Sequence, residues 1–199
     1  MKVKLVISGC LGKMGRRIVE AASWDSSVQI IAGIERDNLA RSKSNQNFAF
    51  PIVSDLSNFI RKTDVVIDFT EPAVTLAHLD IVSKFKKKIV IGTTGFKDED
   101  IKHIRKISRT IPLLLSPNMS IGVNVLFRII PQLTSLLGND YDIEIVELHH
   151  SRKKDAPSGT AKKIADLIKQ SRKELKIIYG RCGTESKRSR DELAIHALR

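Results

Sequence analysis

The residues from Val3 to Ser8 form a compact apolar run that stops at Gly9-Cys-Leu-Gly12-Lys-Met-Gly15 and passes into helical spacing from Met14 to Ala22. An apolar run of this length without polar alternation reads as a strand covered on both faces, the situation of a parallel strand flanked by helices. The same alternation recurs along the first hundred residues. Val28 to Ile34 reads as a strand ending at Glu35-Arg36, and Val65 to Phe69 as a strand closed by Thr70-Glu71-Pro72. Ala73 to Phe85 reads as a helix, Lys88 to Ile91 as a strand, Asp98 to Ser108 as a helix and Ile111 to Leu115 as a further strand. Between them, Asp55 to Arg61 suits a short helix, and the polar, Ser/Asn-rich residues 37–50 suit a surface loop or a flexible lid. Strand and helix in alternation predict an α/β fold with a doubly wound parallel sheet.

After Ser116-Pro117-Asn118-Met119 the pattern changes. Ile121 to Leu137 is a long apolar helix expected to kink at Pro131. A strand leads into His149-His150, a helix follows Gly159, Lys176 to Tyr179 suits a short strand, and Asp191 to Leu198 fits either strand or helix. The expected organisation is therefore a Rossmann-like first domain, residues 1–119, and an α+β second domain, residues 120–199.

The three glycines lie between a strand and a helix, where a tight turn lets the backbone approach a pyrophosphate and the helix start stabilises its charge. The spacing is G-x-x-G-x-x-G, so the motif alone is weak. Its context adds weight: Glu35 falls twenty residues after Gly15, at a strand end where an acid would bond an adenosine ribose. Arg36 beside it would suit a 2′-phosphate, and the pair together predicts tolerance of both NADH and NADPH. Gly92-Thr93-Thr94-Gly95 falls at another strand end, as an ordinary tight turn or as a nicotinamide-side contact.

The densest chemistry lies in Glu147-Leu-His149-His150-Ser-Arg152-Lys153-Lys154-Asp-Ala-Pro157-Ser158-Gly159-Thr160-Ala161. Two histidines, three cations and a helix start share fifteen residues. Neighbouring histidines on a strand point to opposite faces, so one of them can face a given pocket. Histidine titrates near neutrality, which suits proton donation. The N–H groups of Ser158-Gly159-Thr160 at a helix start suit a carboxylate or phosphate. Residue by residue, a basic solvated loop with a capped helix is the plainer reading; taken together, the residues describe an anion pocket beside proton donors.

Composition narrows the partners. The net charge of +12 invites a nucleic-acid reading, but aromatic residues are only 5% of the chain, too few for a base-stacking platform. Thirteen Lys/Arg against four acids lie between Ser151 and Arg190, so the charge is concentrated near the anion pocket and on a solvated surface. No metal-ligand spacing is present. Cys10 and Cys182 are too few for a disulfide framework, and the apolar N-terminal run is too short for a signal peptide or membrane span. These features predict a cytoplasmic protein with no nucleic-acid or membrane partner.

Five segments together resemble 4-hydroxy-tetrahydrodipicolinate reductase, a family also called dihydrodipicolinate reductase. They are Gly9–Arg16, Asp68-Phe-Thr70, Gly92-Thr-Thr-Gly-Phe96, Ser116–Asn124 and Glu147-Leu-His-His with Lys153-Lys-Asp-Ala-Pro-Ser-Gly-Thr160. The resemblance implies hydride transfer from NADPH or NADH to a cyclic unsaturated dicarboxylate on the diaminopimelate route to lysine. It implies His149 as general acid with Lys153 as its partner, and His150, Gly159 and Thr160 on the substrate. Gly9, Gly12, Lys13, Met14, Gly15, Glu35, Arg36, Gly92, Thr93, Thr94, Ser116, Pro117, Asn118 and Met119 would line the cofactor site. It further implies a homotetramer assembled through the second domain. The family pattern continues beyond the equivalent of Arg199, so an incomplete second domain with an unpaired sheet edge is expected. A shortened, catalytically impaired nucleotide-binding homologue is the alternative.

Overall fold

In the computed structural model, which describes residues 1–42, 48–153, 155–184 and 187–199, the chain divides into two compact units, Met1–Pro117 and Asn118–Arg199. The first unit is built on a six-stranded, wholly parallel sheet. Its strands are β1 (Val3–Ser8), β2 (Val28–Ile34), β3 (Ile52–Val53), β4 (Val65–Asp68), β5 (Lys88–Ile91) and β6 (Leu113–Leu115), in the order β3-β2-β1-β4-β5-β6. The order reverses at β1, so β1 and β4 diverge from a crevice at their carboxyl ends, where α/β sheets of this kind bind ligands. Helices α1 (Lys13–Ser23), α2 (Asp37–Ala40), α3 (Pro72–Lys84) and α4 (Asp98–Ile107) connect the strands.

The apolar runs are explained by burial on both faces. Val6 and Ile7 are adjacent and point to opposite sides, and both are fully buried. Val6 joins Ala32, Val66, Leu79, Ile89 and Ile104 on one side; Leu5, Ile7 and Cys10 pack with Ile18 and Val19 of α1 on the other. The expected elements form within a residue or two of their predicted limits. Asp55–Arg61 is realised as two 3-10 turns, Leu56–Asn58 and Ile60–Lys62. Strand β3 was not legible in advance, because two residues carry no periodicity; it pairs with Gly33 and Ile34 at the sheet edge. Of the polar segment 37–50, residues 37–40 form a helical turn, and residues 43–47 lie outside the described residues.

The second unit has α5 (Ile121–Leu137), β7 (Glu144–Leu148), α6 (Gly159–Ser171), β8 (Lys176–Tyr179) and β9 (Glu192–Leu198). Its sheet is parallel with β9 in the centre, in the order β7-β9-β8. The ambiguous 191–198 segment is thus a strand, and a central one: Leu193 and Ile195 pack under Ala161, Ala165 and Ile168 of α6. Helix α5 runs through Pro131 as one element, and the Pro131 carbonyl accepts the Ser171 hydroxyl at 3.2 Å. Segment Ile121–Asp140 is by length and composition apolar enough to cross a membrane. Ile130 faces the unit's core, whereas Ile121, Leu133 and Leu136 are exposed, as are Val146, Leu148 and Leu198 of the sheet.

The turn after β1 is the tightest packing in the first unit. A Cβ added at Gly15 would stand 2.0 Å from the Gly9 carbonyl oxygen, a backbone atom that cannot swing aside. Gly15→Ala is therefore expected to lower the unfolding free energy by at least the ~1–3 kcal/mol of ordinary overpacking, read as a reduced midpoint in urea.

Candidate active site

Strand β1 delivers the chain into Gly9, whose φ of +77° suits glycine and whose added Cβ would lie 2.6 Å from the Phe69 carbonyl oxygen. Helix α1 then opens at Lys13 with Gly12 as its N-cap, no side-chain cap and no acid in the first turn. An uncapped first turn presents backbone N–H groups and the positive end of the helix dipole, with Lys13 and Arg16 as nearby cations, and so suits a phosphate. Glu35, at the end of β2, accepts the Leu11 N–H at 2.7 Å and so fixes the loop. Arg36 next to it pairs with Glu71 at 3.3 Å. These residues line a cavity of about 500 Å³ together with Gly9, Gly12 and His78. The backbone cradle, the anion-binding helix start and the strand-end acid match what a dinucleotide requires.

Behind that cavity lies a buried polar cluster centred on Asp68, the last residue of β4. Its Oδ1 lies 2.6, 2.9 and 3.2 Å from the hydroxyls of Thr70, Thr75 and Thr93. Its Oδ2 lies 2.7 Å from His78 Nδ1, which is also 3.0 Å from the Ser8 hydroxyl. Burial pushes the Asp68 carboxyl up, but hydrogen bonds from His78, Thr70 and Thr75 outweigh it and hold the group below the usual carboxylate range. The ionised oxygen implies that Nδ1 of His78 carries the proton. Of the turn after β5, Thr93 is buried with its hydroxyl engaged in this cluster, while Thr94 is exposed. Ser116 donates its N–H to the Ile91 carbonyl at 3.1 Å, and Pro117 is exposed.

In the second unit, β7 ends at Leu148 and the His149 N–H bonds the Leu198 carbonyl of β9 at 3.1 Å. His149 Nδ1 lies 3.4 Å from Glu147 Oε2, longer than a hydrogen bond but close for a charge pair; both atoms are buried without a hydrogen-bond partner. The other Glu147 oxygen accepts the Ser158 N–H at 2.9 Å and faces Arg199 at 3.3 Å. Burial raises the Glu147 carboxyl, yet the bonds from Ser158 and Arg199 prevail and leave it below its ordinary value. One carboxylate therefore touches both the first histidine and the start of α6.

Ser158 caps that helix by accepting the Ala161 N–H at 3.2 Å. Asn118 reaches Thr160 Oγ1 at 3.4 Å and accepts the Ser120 N–H at 2.9 Å, and Met119 is partly exposed. Lys153 does not contact His149; its ammonium pairs with Asp155 at 2.7 Å, and that contact is the main cause of the lowered Asp155 carboxyl, with the Gly159 N–H contributing. His150 is exposed. Lys154 lies outside the described residues. Several cations of the basic stretch prove structural: Arg181 and Arg188 pair with Glu144 at 2.8 and 3.0 Å, and buried Arg172 donates to the Tyr141 carbonyl at 3.0 Å.

Comparison with known proteins decides the lineage. The N-terminal model of dihydrodipicolinate reductase matches residues 3–119, and the C-terminal model matches residues 122–199. The chain belongs to the dihydrodipicolinate reductase family. Proteins named 4-hydroxy-tetrahydrodipicolinate reductase are similar over nearly the whole chain. One from Aquifex aeolicus is 40% identical, the match covering 100% of this chain and 78% of the relative. One from Clostridium botulinum is 42% identical, covering 99% and 75%. Among solved structures, a dipicolinate-bound dihydrodipicolinate reductase from Paenisporosarcina sp. TG-14 superposes with a TM-score of 0.74 at 27% identity, over 100% of this chain and 78% of that one. The WlbA dehydrogenase of Chromobacterium violaceum, at 12% identity and a TM-score of 0.58, covers 74% of this chain and 44% of its own, and shares the fold alone.

Three features of this structure were not singled out from the sequence as site residues: Glu147, His78 and the hub role of Asp68. Glu147 opens the histidine segment and Asp68 closes an apolar strand, which is the only signal either offers. His78 sits ten residues on, inside a helix with no polar stripe to mark it. Replacing Asp68 by alanine is expected to destabilise the fold by about 1–3 kcal/mol for each buried donor left without its acceptor. Because the folded-state pKa of Asp68 is depressed, its stabilisation is complete above the ordinary carboxylate range and is lost as pH falls through the lowered value. Urea melts of wild type and Asp68→Ala should therefore converge toward acid pH.

Proposed function

We propose that the chain reduces 4-hydroxy-tetrahydrodipicolinate to tetrahydrodipicolinate with NADPH or NADH, the step of the diaminopimelate route to lysine that its family name denotes. The observation that carries this reading is the placement of His149 and the start of α6 around the Glu147 carboxylate. The nicotinamide, when bound, supplies the hydride. The first unit's role is to hold the nucleotide: Gly9, Gly12, Lys13, Met14 and Gly15 at the pyrophosphate, Glu35 and Arg36 at the adenosine ribose, and Gly92, Thr93, Thr94 and the Ser116–Met119 segment on the nicotinamide side.

The second unit's role is to hold the dicarboxylate and to give a proton. Gly159 and Thr160 offer helix-start donors to one carboxylate, with His150 as a further contact. Loss of the 4-hydroxyl as water leaves the conjugated C=N system that accepts the hydride, and His149 delivers the proton to the charge that then develops on the ring. Glu147, with Oε2 3.4 Å from Nδ1, orients that imidazole. Lys153 supports the same step; Asp155 holds its ammonium at 2.7 Å, so a substrate carboxylate and Asp155 compete for one cation. We further infer a cytoplasmic homotetramer. The exposed apolar residues of α5 and of the open sheet face support burial in an oligomer over a membrane role.

Coupling the protein to a source of substrate and following nicotinamide absorbance tests the reading. His149→Gln is expected to lower kcat by about 10²- to 10⁴-fold, the usual worth of a general acid, with Glu147→Gln giving a smaller loss and neither changing nucleotide affinity. Normal turnover in a His149→Gln, Lys153→Ala double variant would remove the assignment. Tight nucleotide binding without turnover in the wild type would favour the nucleotide-binding homologue.

A further inference from the structure

The cavity of the first unit carries a charge arrangement that bears on which nucleotide it accepts. Two carboxylates, Glu35 and Glu71, and one guanidinium, Arg36, line it. Glu35 is held by the Leu11 N–H through one oxygen, and among the described residues its second oxygen has no hydrogen-bond partner. A free carboxylate oxygen at the end of β2 accepts a ribose hydroxyl well and repels a phosphate. Arg36 is the residue placed to recognise a 2′-phosphate, but its guanidinium is paired with Glu71 at 3.3 Å. The next arginine, Arg41, is paired as well, with Asp37 at 3.0 Å, and Asp37 also accepts the Ser54 hydroxyl. Among the charged residues that line the cavity, the acids Glu35 and Glu71 outnumber the one arginine, Arg36.

The geometry points to Glu71 as a specificity-determining residue that biases the site toward NADH; this rests on the nucleotide-binding reading above. A ribose 2′-hydroxyl needs only the Glu35 oxygen and leaves the Arg36–Glu71 pair intact. A 2′-phosphate brings close to two negative charges. It must draw Arg36 away from Glu71 and then sit among carboxylates. Glu71 is also a clean position to change. It is the N-cap residue of α3, but its side chain makes no capping hydrogen bond, so removing its charge leaves the helix start intact.

The test is direct binding of each reduced nucleotide to the full chain, followed by nucleotide fluorescence, for wild type, Glu71→Gln and Glu71→Arg, with a thermal melt of each variant. Wild type is expected to bind NADH more tightly than NADPH. Glu71→Gln is expected to tighten NADPH by roughly tenfold, the scale of one nearby charge pair, with little effect on NADH. Glu71→Arg is expected to reverse the preference. A wild type that prefers NADPH, or a Glu71→Gln variant with an unchanged NADPH-to-NADH affinity ratio and an unchanged melting temperature, overturns the inference while leaving the reductase reading standing. Binding of neither nucleotide overturns both.

Discussion

A carboxylate that stays ionised inside a protein must be surrounded by donors, and those donors must come from somewhere in the chain. At Asp68, His78 meets one oxygen and is itself met by the Ser8 hydroxyl, while Thr70, Thr75 and Thr93 gather at the other. The cluster therefore ties the end of β1, the end of β4, the first turns of α3 and the turn after β5 to one point. That point lies at the reversal of strand order, beside the glycine turn. The cavity walls are held by a completed hydrogen-bond set, and packing alone would not fix them to the same tolerance. His78 spans the arrangement, bonded to the carboxylate and lining the cavity.

The second unit uses carboxylates in the same way at lower burial. Glu147 joins the histidine end of β7 to the start of α6, and Glu144 gathers Arg181, Arg188 and His196 across the open sheet face. Arg181 and Arg188 of the basic stretch thus serve the second unit's own structure. The group to which we assign chemistry is the one at Lys153, itself paired with Asp155, and the α6 start.

The α/β architecture was legible because fully buried parallel strands need unbroken apolar runs and helices need their own period, and both signals are strong from Val3 to Leu115. The central position of β9 was not legible. Glu192–Leu198 mixes small, charged and apolar residues, and its neighbours in the sheet are set by the chirality of distant connections rather than by its own residues. For the site, residue types and spacing pointed to the glycine turn and to the histidine pair with its cations and helix start; His149 and Lys153 in particular were what the family resemblance implied. Partners could not be read: that Lys153 meets Asp155, that Arg36 meets Glu71, and that Thr93 turns inward to Asp68 all depend on side-chain directions fixed only once the chain has folded.

The central claim is that one chain combines a nucleotide-holding sheet with a proton-donating histidine to reduce a cyclic dicarboxylate. It is tested most directly by turnover with nicotinamide nucleotide deuterated at the hydride-donating carbon and freshly generated 4-hydroxy-tetrahydrodipicolinate, with mass analysis of the product. The account predicts tetrahydrodipicolinate that carries the deuterium, formed in step with nucleotide oxidation and lost in His149→Gln. Nucleotide oxidation without label in the product, or labelled product at an undiminished rate in that variant, would contradict it.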